Sequence, residues 1–377
     1  MTTRLRASTL SGEIDALPSK YDMHRLMIAA HLAGMDVTSW PTPSDDIAAT
    51  RDCLLSNDRK NCRESGSTLR FLLPVMAALD KACTFTGTGR LPKRPIEPLI
   101  ALLRAHGCEV SATSVPLVIR GKLRPGRFEL PGNISSQFVT GLLFALPLLE
   151  DASEIVLTSP LESAGYVEMT LCTLRKFGII VEITRNGYRI EPQRYRPTDA
   201  TQPEGDWSNA AFWLAAGVNV TGLNENSPQP DREIQHLLRQ MGFPRRGIVM
   251  DAAQCPDLAP LMAAIMASAQ GESRIIHAAR LRLKESDRLH AMAENLNALG
   301  GNVTELPDGL VIQGRQLRGG VVESFNDHRV AMAMAIAALS CEGAVTLRGA
   351  EAVQKSYPRF WEDYQRLGGR YELEIWE

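Results

Sequence analysis

Nine consecutive residues, RLKESDRLH at 282–290, carry five charged side chains and a histidine. In isolation the stretch reads as a solvated helix start. Ser286 caps it, Asp287 sits in the first turn, and the helix runs from Arg288 towards Leu299 until Gly300 ends it. Similar polar clusters recur along the chain, each just before an apolar run: ESGST at 64–68, SSQ at 135–137, CPD at 255–257 and NDHR at 326–329. Arginine and lysine mixed with carboxylates and hydroxyls suit two tasks, gripping anions and moving protons. Helix N-termini add unpaired N–H groups and partial positive charge. If several such helices point the same way, their starts converge on one face and favour anions there, with neither a metal nor a basic surface.

The elements that must carry these clusters form a repeat. An apolar helix pattern starts after a polar cluster at 64–79, 134–149, 207–218, 256–269 and 326–339. Short strand-like runs such as EIVLTS, RIIHAA and AVTLRG follow most of them, and then an amphipathic helix ending at a glycine. The terminating glycines are 107, 178, 242, 300 and 368, spaced by 71, 64, 58 and 68 residues. Hairpin-like pairs such as NVTELPDGLVIQG come after several of them. Each unit thus reads as β-α-β-α-β-β, with one helix apolar on every side. Such a helix is buried only when units pack together. Residues 21–55 look like a sixth copy cut short, since no glycine stop, strand or hairpin intervenes before Glu64. The expectation is an α/β protein of six units, three per domain.

Bulk properties remove other classes. A net charge of −2 gives no electrostatic case for nucleic acid or an anionic membrane. The most continuous apolar stretches, 138–149 and 330–339, fall short of the roughly 18–20 residues of a membrane span. The first residues lack the apolar core of a secretory signal, so a cytoplasmic protein is expected. Seven cysteines without a C-x-x-C pair and seven histidines without H-x-x-x-H spacing argue against structural zinc and a disulfide framework.

Taken in order, the motifs resemble those of the 5-enolpyruvylshikimate-3-phosphate (EPSP) synthase family. They are PSK…HR (18–25), SDD (44–46), ESGSTLRFLLP (64–74), TGTGRLPKRPI (86–96), SSQF (135–138), CPDLAPLMA (255–263), RLKESDRL (282–289), NDHRVAMA (326–333) and KSYPRFWED (355–363). The resemblance implies an enolpyruvyl transferase fold, an inside-out α/β barrel of two similar domains. One domain spans 18–204, binds shikimate 3-phosphate, and has one truncated and two full repeats. The other is discontinuous, 1–17 with 205–377, and has three repeats. The active site is expected in the cleft between them.

The implied reaction joins phosphoenolpyruvate to the 5-hydroxyl of shikimate 3-phosphate through a tetrahedral intermediate and expels phosphate. By resemblance, Lys20, Gly66, Arg94, Arg288, Arg329 and Lys355 bind phosphoenolpyruvate. Tyr21, Arg25, Ser135, Ser136, Gln137, Ser163, Tyr166, Asp257 and Lys284 bind shikimate 3-phosphate. Asp257 is the expected base for the 5-hydroxyl; Lys20, Glu285 and His328 are the proton-transfer candidates on the phosphoenolpyruvate side. A monomer without cofactor, metal, nucleic-acid or membrane partner is expected, and glyphosate would compete for the phosphoenolpyruvate site.

Three features depart from the family pattern. Tyr21 replaces a usual serine, Leu17-Pro18 replaces a usual Pro-Gly, and the first repeat of the 18–204 domain lacks a strand, a hairpin and part of a helix. UDP-N-acetylglucosamine enolpyruvyl transferase shares the implied fold, but its loop cysteine has no counterpart in GTGRLPKRP. A non-catalytic ligand-binding descendant is the other alternative.

Overall fold

Strands β1 (Thr2–Arg6) and β2 (Glu13–Asp15) open the chain, in a computed structural model that describes residues 1–374. Two units follow from the packing. One is Pro18–Pro203; the other joins Met1–Leu17 to the chain from Glu204 onward, and each has its own hydrophobic core.

The Pro18–Pro203 unit begins with helices α1 (Lys20–Leu32) and α2 (Asp45–Leu55), which have no strand between them. Two complete repeats follow. The first comprises β3 (Arg59–Asn61), α3 (Gly66–Ala78), β4 (Cys83–Thr86), α4 (Glu97–Ala105), β5 (Glu109–Val110) and β6 (Leu117–Arg120). The second comprises β7 (Arg127–Leu130), α5 (Ser136–Ala145), β8 (Ser153–Leu157), α6 (Ala164–Lys176), β9 (Glu182–Thr184) and β10 (Gly187–Ile190). Their sheets have the same order, β3-β4-β6-β5 and β7-β8-β10-β9, with the first pair parallel and the others antiparallel. Helices α3 and α5 are buried almost throughout and pack on each other, because their apolar residues leave no face for water.

In the other unit, α7 (Trp207–Ala215), β11 (Asn219–Thr221) and α8 (Ile234–Met241) precede β12 (Val249–Asp251), α9 (Ala259–Met266), β13 (Glu272–Ile276), α10 (Arg288–Ala298), β14 (Val303–Leu306) and β15 (Gly309–Gln313). The last repeat has β16 (Gly320–Glu323), α11 (His328–Ala338), β17 (Val345–Arg348), α12 (Phe360–Arg366) and β18 (Arg370–Glu374). Sheet β12-β13-β15-β14 repeats the same order. So does β16-β17-β1-β18, in which the N-terminal strand β1 fills the place of the missing hairpin partner.

Of the three repeats expected here, the one around α7 and α8 is shortened. Its sheet is only the parallel pair β2 and β11, and Gly242 leads through a single bridge, Arg246 to Gln270, into β12. A second repeat has therefore lost its hairpin. The buried helix α7, capped by Asp206 through the Asn209 N–H at 2.7 Å, is kept. All five stop glycines sit at positive φ, between 65° and 104°, which is what ends the amphipathic helices. Among the described residues no helix is long and apolar enough to cross a membrane.

Candidate active site

In the Pro18–Pro203 unit, the starts of α1, α3 and α5 carry most of the predicted residues. Ser19 caps α1, so Lys20 occupies its first turn, 6% exposed, with Nζ 3.0 Å from Asp46 Oδ2 at the start of α2. Arg25 is buried one turn further on. It donates from Nε to Thr170 Oγ1 at 2.9 Å, from Nη1 to the Tyr21 carbonyl at 2.6 Å and from Nη2 to the Tyr166 carbonyl at 2.7 Å. Burial pulls its pKa down to about 10, against the opposing pull of Asp22 and the two phenols. Arg25 therefore stays charged at neutral pH and fastens both tyrosines, whose rings pack at 4.9 Å between centroids.

Gly66 opens α3 after its cap Ser65. A Cβ there would lie 2.8 Å from the Arg94 guanidinium and 2.9 Å from Arg70 Nη1, so the space belongs to two cations. Arg70 donates to Gln137 Oε1 at 2.7 Å and to the Pro95 carbonyl at 2.8 Å. Gln137 in turn donates from Nε2 to Ser67 Oγ at 2.9 Å, tying the start of α5 to the start of α3. Ser135 caps α5 by accepting from the Gln137 N–H, and Ser136 is buried beside it. Ser163, with φ 57°, stands in the left-handed region just before α6, and Tyr166 lies in the first turn of that helix.

The other unit gathers Asp257, Lys284, Glu285, Arg288, His328, Arg329 and Lys355. Arg288 is their centre. It donates from Nη1 to Asp257 Oδ1 at 2.7 Å, from Nη2 to Glu285 Oε2 at 2.9 Å, and from Nε and Nη2 to Asp327 at 2.7 and 3.2 Å. Burial alone would weaken the Arg288 charge, but the three carboxylates outweigh it and push its pKa well up. Lys284 Nζ is 3.4 Å from the same Asp257 oxygen; burial lowers its pKa and Asp257 opposes that shift.

The cap of α10 is a correction to the sequence reading. Asp287 accepts from the His290 N–H at 3.1 Å, whereas Ser286 donates to Asp327 Oδ2 at 3.0 Å. Ser286 serves the buried ion network instead. Arg329 donates to the Ser208 carbonyl at 2.8 Å and to Asn209 Oδ1 at 3.3 Å, at the start of α7. His328 is 2% exposed, with Nδ1 3.9 Å from Asp327 Oδ1. Lys355 donates to the Asn326 carbonyl at 2.5 Å. Phe325 and Asn326 both have positive φ, 53° and 54°, a sparsely populated conformation for non-glycine residues at the turn entering α11.

The helix starts thus meet within each unit, and each cluster combines fixed cations with helix N–H groups suited to phosphates and carboxylates. Asp257, between two cations at the start of a buried helix, can accept a proton. Three residues missed by the sequence reading complete the clusters: Asp46 against Lys20, Arg70 against Gln137, and Asp327 against Arg288. Each stands inside a motif already singled out: SDD, ESGSTLR and NDHR.

A family model for EPSP synthase (3-phosphoshikimate 1-carboxyvinyltransferase) matches residues 11–364. The chain belongs to the EPSP synthase family. It is 42% identical to the 3-phosphoshikimate 1-carboxyvinyltransferase of Clostridium acetobutylicum over 417 aligned positions, which cover 97% of each chain. The protein of that name from Clostridium novyi is 40% identical, with 96% of each chain covered. An alignment of 417 positions exceeds the 377 residues available here, so the family relative carries segments that this chain lacks. An EPSP synthase structure from Acinetobacter baumannii shares the fold, with a TM-score of 0.80 over 99% of this chain and 100% of that one at 23% identity. The enolpyruvyl transferase NikO from Streptomyces tendae does so with a TM-score of 0.77 at 18% identity over 98% of each chain.

Proposed function

We propose that the chain is a 3-phosphoshikimate 1-carboxyvinyltransferase of the shikimate pathway, on the route to chorismate and the aromatic amino acids. The observation that carries this is the 42% identity to a relative of that name, running through 97% of both chains. In this reading Ser135, Ser136, Gln137 and Ser163 hold the phosphate of shikimate 3-phosphate. Arg25, Tyr21, Tyr166 and Lys284 position the rest of that substrate. Arg94, Arg288, Arg329 and Lys355 hold phosphoenolpyruvate, with Gly66 leaving room for it.

Asp257 takes the proton of the 5-hydroxyl as its oxygen bonds to C2 of phosphoenolpyruvate, while C3 receives a proton from the Lys20, Glu285 and His328 set. That set then takes a proton back from C3 of the tetrahedral adduct as the C–O bond to phosphate breaks and phosphate leaves. Arg288 couples binding to this chemistry. Of its three carboxylate partners, Glu285 is the most exposed, at 18% against 9% for Asp257 and 0% for Asp327. An arriving anion competes first with Glu285 and releases that carboxylate for proton transfer. The enzyme is read as a cytoplasmic monomer that needs no cofactor or metal.

Phosphate release should saturate with phosphoenolpyruvate only when shikimate 3-phosphate is present. Shikimate without its phosphate should be at least about 10²-fold poorer in kcat/KM, since the hydroxyls and amide that hold the phosphate would be left without their ligand. Turnover with UDP-N-acetylglucosamine instead would replace this reading, and binding without turnover would make the chain a non-catalytic descendant.

Gly66→Ala tests the phosphoenolpyruvate side. The φ of Gly66 is not in the left-handed region, so the methyl acts by crowding Arg94 and Arg70. With a steric cost of about 1–3 kcal/mol, the variant should weaken inhibition by the longer ligand glyphosate about tenfold or more. The KM for phosphoenolpyruvate should rise less; equal changes would mean that the crowding does not distinguish the two ligands.

Tyr21→Phe tests the departure from the family serine. Losing one hydrogen bond to a charged group should raise the KM for shikimate 3-phosphate up to about tenfold and leave that for phosphoenolpyruvate unchanged. A silent Tyr21→Phe together with improved catalysis in Tyr21→Ser would show that the phenol makes no such contact.

A further inference from the structure

A buried chain of hydrogen bonds runs from α1 through α2 to the cap of α3. His24 Nδ1 is 2.7 Å from Thr50 Oγ1, Thr50 Oγ1 is 2.6 Å from Thr68 Oγ1, and Thr68 donates to Ser65 Oγ at 2.8 Å. Ser65 Oγ also accepts from the Thr68 N–H at 3.2 Å, the bond that caps α3 one residue before Gly66. None of these four side chains belongs to the predicted site, and all are 2% exposed or less.

The direction of the chain is fixed by counting protons. Thr68 has one hydroxyl proton and gives it to Ser65, so it accepts from Thr50. Thr50 has then spent its own proton and can only accept from His24. His24 is therefore the Nδ1–H tautomer. Its Nε2 is buried and meets no hydrogen-bond partner among the described residues. A second ring proton would have no acceptor. Burial first, and then Lys20 and Arg25, hold the imidazole pKa well below its ordinary value. The ring is a permanent neutral donor, not a titrating group.

We infer that His24 is a positioning residue for phosphoenolpyruvate, acting through Thr50, Thr68 and Ser65 on the start of α3 where Gly66 and Ser67 lie. This rests on the function proposed above. The larger effect falls on phosphoenolpyruvate, because the shikimate 3-phosphate side of α1 is fastened separately by the bonds of Arg25 to Thr170, Tyr21 and Tyr166, and Gln137, which meets Ser67, is also held by Arg70. Without the donor at the head of the chain, Thr50 can turn its proton elsewhere, for instance towards the Asp46 carbonyl 3.5 Å away. Thr68 then loses the bond that holds its hydroxyl on Ser65.

Three single variants and one double test this. His24→Leu removes the donor, Thr50→Val removes the next link at nearly constant shape, and His24→Asn keeps an N–H where Nδ1 stood. His24→Leu and Thr50→Val should each raise the KM for phosphoenolpyruvate about fivefold, with the KM for shikimate 3-phosphate within about twofold of the parent. Their double variant should be no worse than either alone, since both cut one chain. His24→Asn should restore the parent values. Equal rises in both KM values, an unchanged KM for phosphoenolpyruvate in Thr50→Val, or His24→Asn as poor as His24→Leu would each overturn the assignment. Amide exchange of residues 65–68 reads the chain without turnover. It should quicken in Thr50→Val and in His24→Leu and recover in His24→Asn. If the parent protein releases no phosphate, the proposed function falls while exchange still decides the relay; unchanged exchange overturns it.

Discussion

Replacing Asp257 with alanine is expected to lower kcat at least about 10²-fold, the ordinary contribution of a well-placed general base. Binding of shikimate 3-phosphate should weaken only several-fold. Its proposed phosphate ligands, Ser135, Ser136 and Gln137, lie in the Pro18–Pro203 unit, where Gln137 is held by Ser67 and Arg70 and donates its N–H to Ser135 Oγ. The pH dependence adds a second reading. Asp257 opposes the burial that lowers the Lys284 pKa, so its removal moves that pKa further down. As pH rises, the variant should lose the Lys284 charge, and with it substrate affinity, at a lower pH than the parent. Calorimetric binding beside steady-state kinetics separates the cases. Near-normal kcat would remove Asp257 from the mechanism, and equal losses of binding and turnover would make it a structural partner of Arg288.

Arg288→Met should act on folding as well as on chemistry. Arg288 is 2% exposed and pairs with Asp327, which is 0% exposed. Removing the guanidinium leaves the Asp327 carboxylate accepting from the Ser286 hydroxyl and the Arg329 N–H. An uncompensated buried carboxylate typically costs about 3–5 kcal/mol. For a unit of this size that is a fall in Tm of roughly 10 °C. A double variant, Arg288→Met with Asp327→Leu, should recover much of the stability, because the pair is then removed together. It should not recover activity, since the anion ligand is still gone. A stable but inactive Arg288→Met would mean that the network binds substrate without supporting the fold. A stable and active one would remove Arg288 from the site.

Much of this architecture was legible because the repeat is written in two redundant signals, an apolar helix after a polar cluster and a glycine that stops its amphipathic neighbour. The truncation before Glu64 was visible as missing sequence. The second one was visible only as a number. The spacing from Gly242 to Gly300 is 58 residues, the shortest of the four, but the helices α7 and α8 on either side of β11 kept the pattern looking complete. The place of β1 between β17 and β18 joins residues at opposite ends of the chain, which no local pattern records.

The cations of the site were found through motifs, and their carboxylate partners were not. Asp327 and Arg288 are 39 positions apart, and Asp46 and Lys20 are 26 apart. Periodicity shows that a residue starts a helix; only the packing shows which other helix start it meets. Ser286 illustrates the limit at close range. Ser and Asp are both good caps, and the choice of Asp287 follows from Asp327 needing the serine hydroxyl.

One incubation decides the central claim. The purified protein is mixed with shikimate 3-phosphate and phosphoenolpyruvate, and phosphorus NMR follows the mixture while mass spectrometry identifies the product. The account predicts one inorganic phosphate released for each molecule of a new species that retains the 3-phosphate and carries an enolpyruvyl ether on the 5-hydroxyl. Phosphate appearing without shikimate 3-phosphate, or no product from a folded protein that binds both substrates, would contradict it.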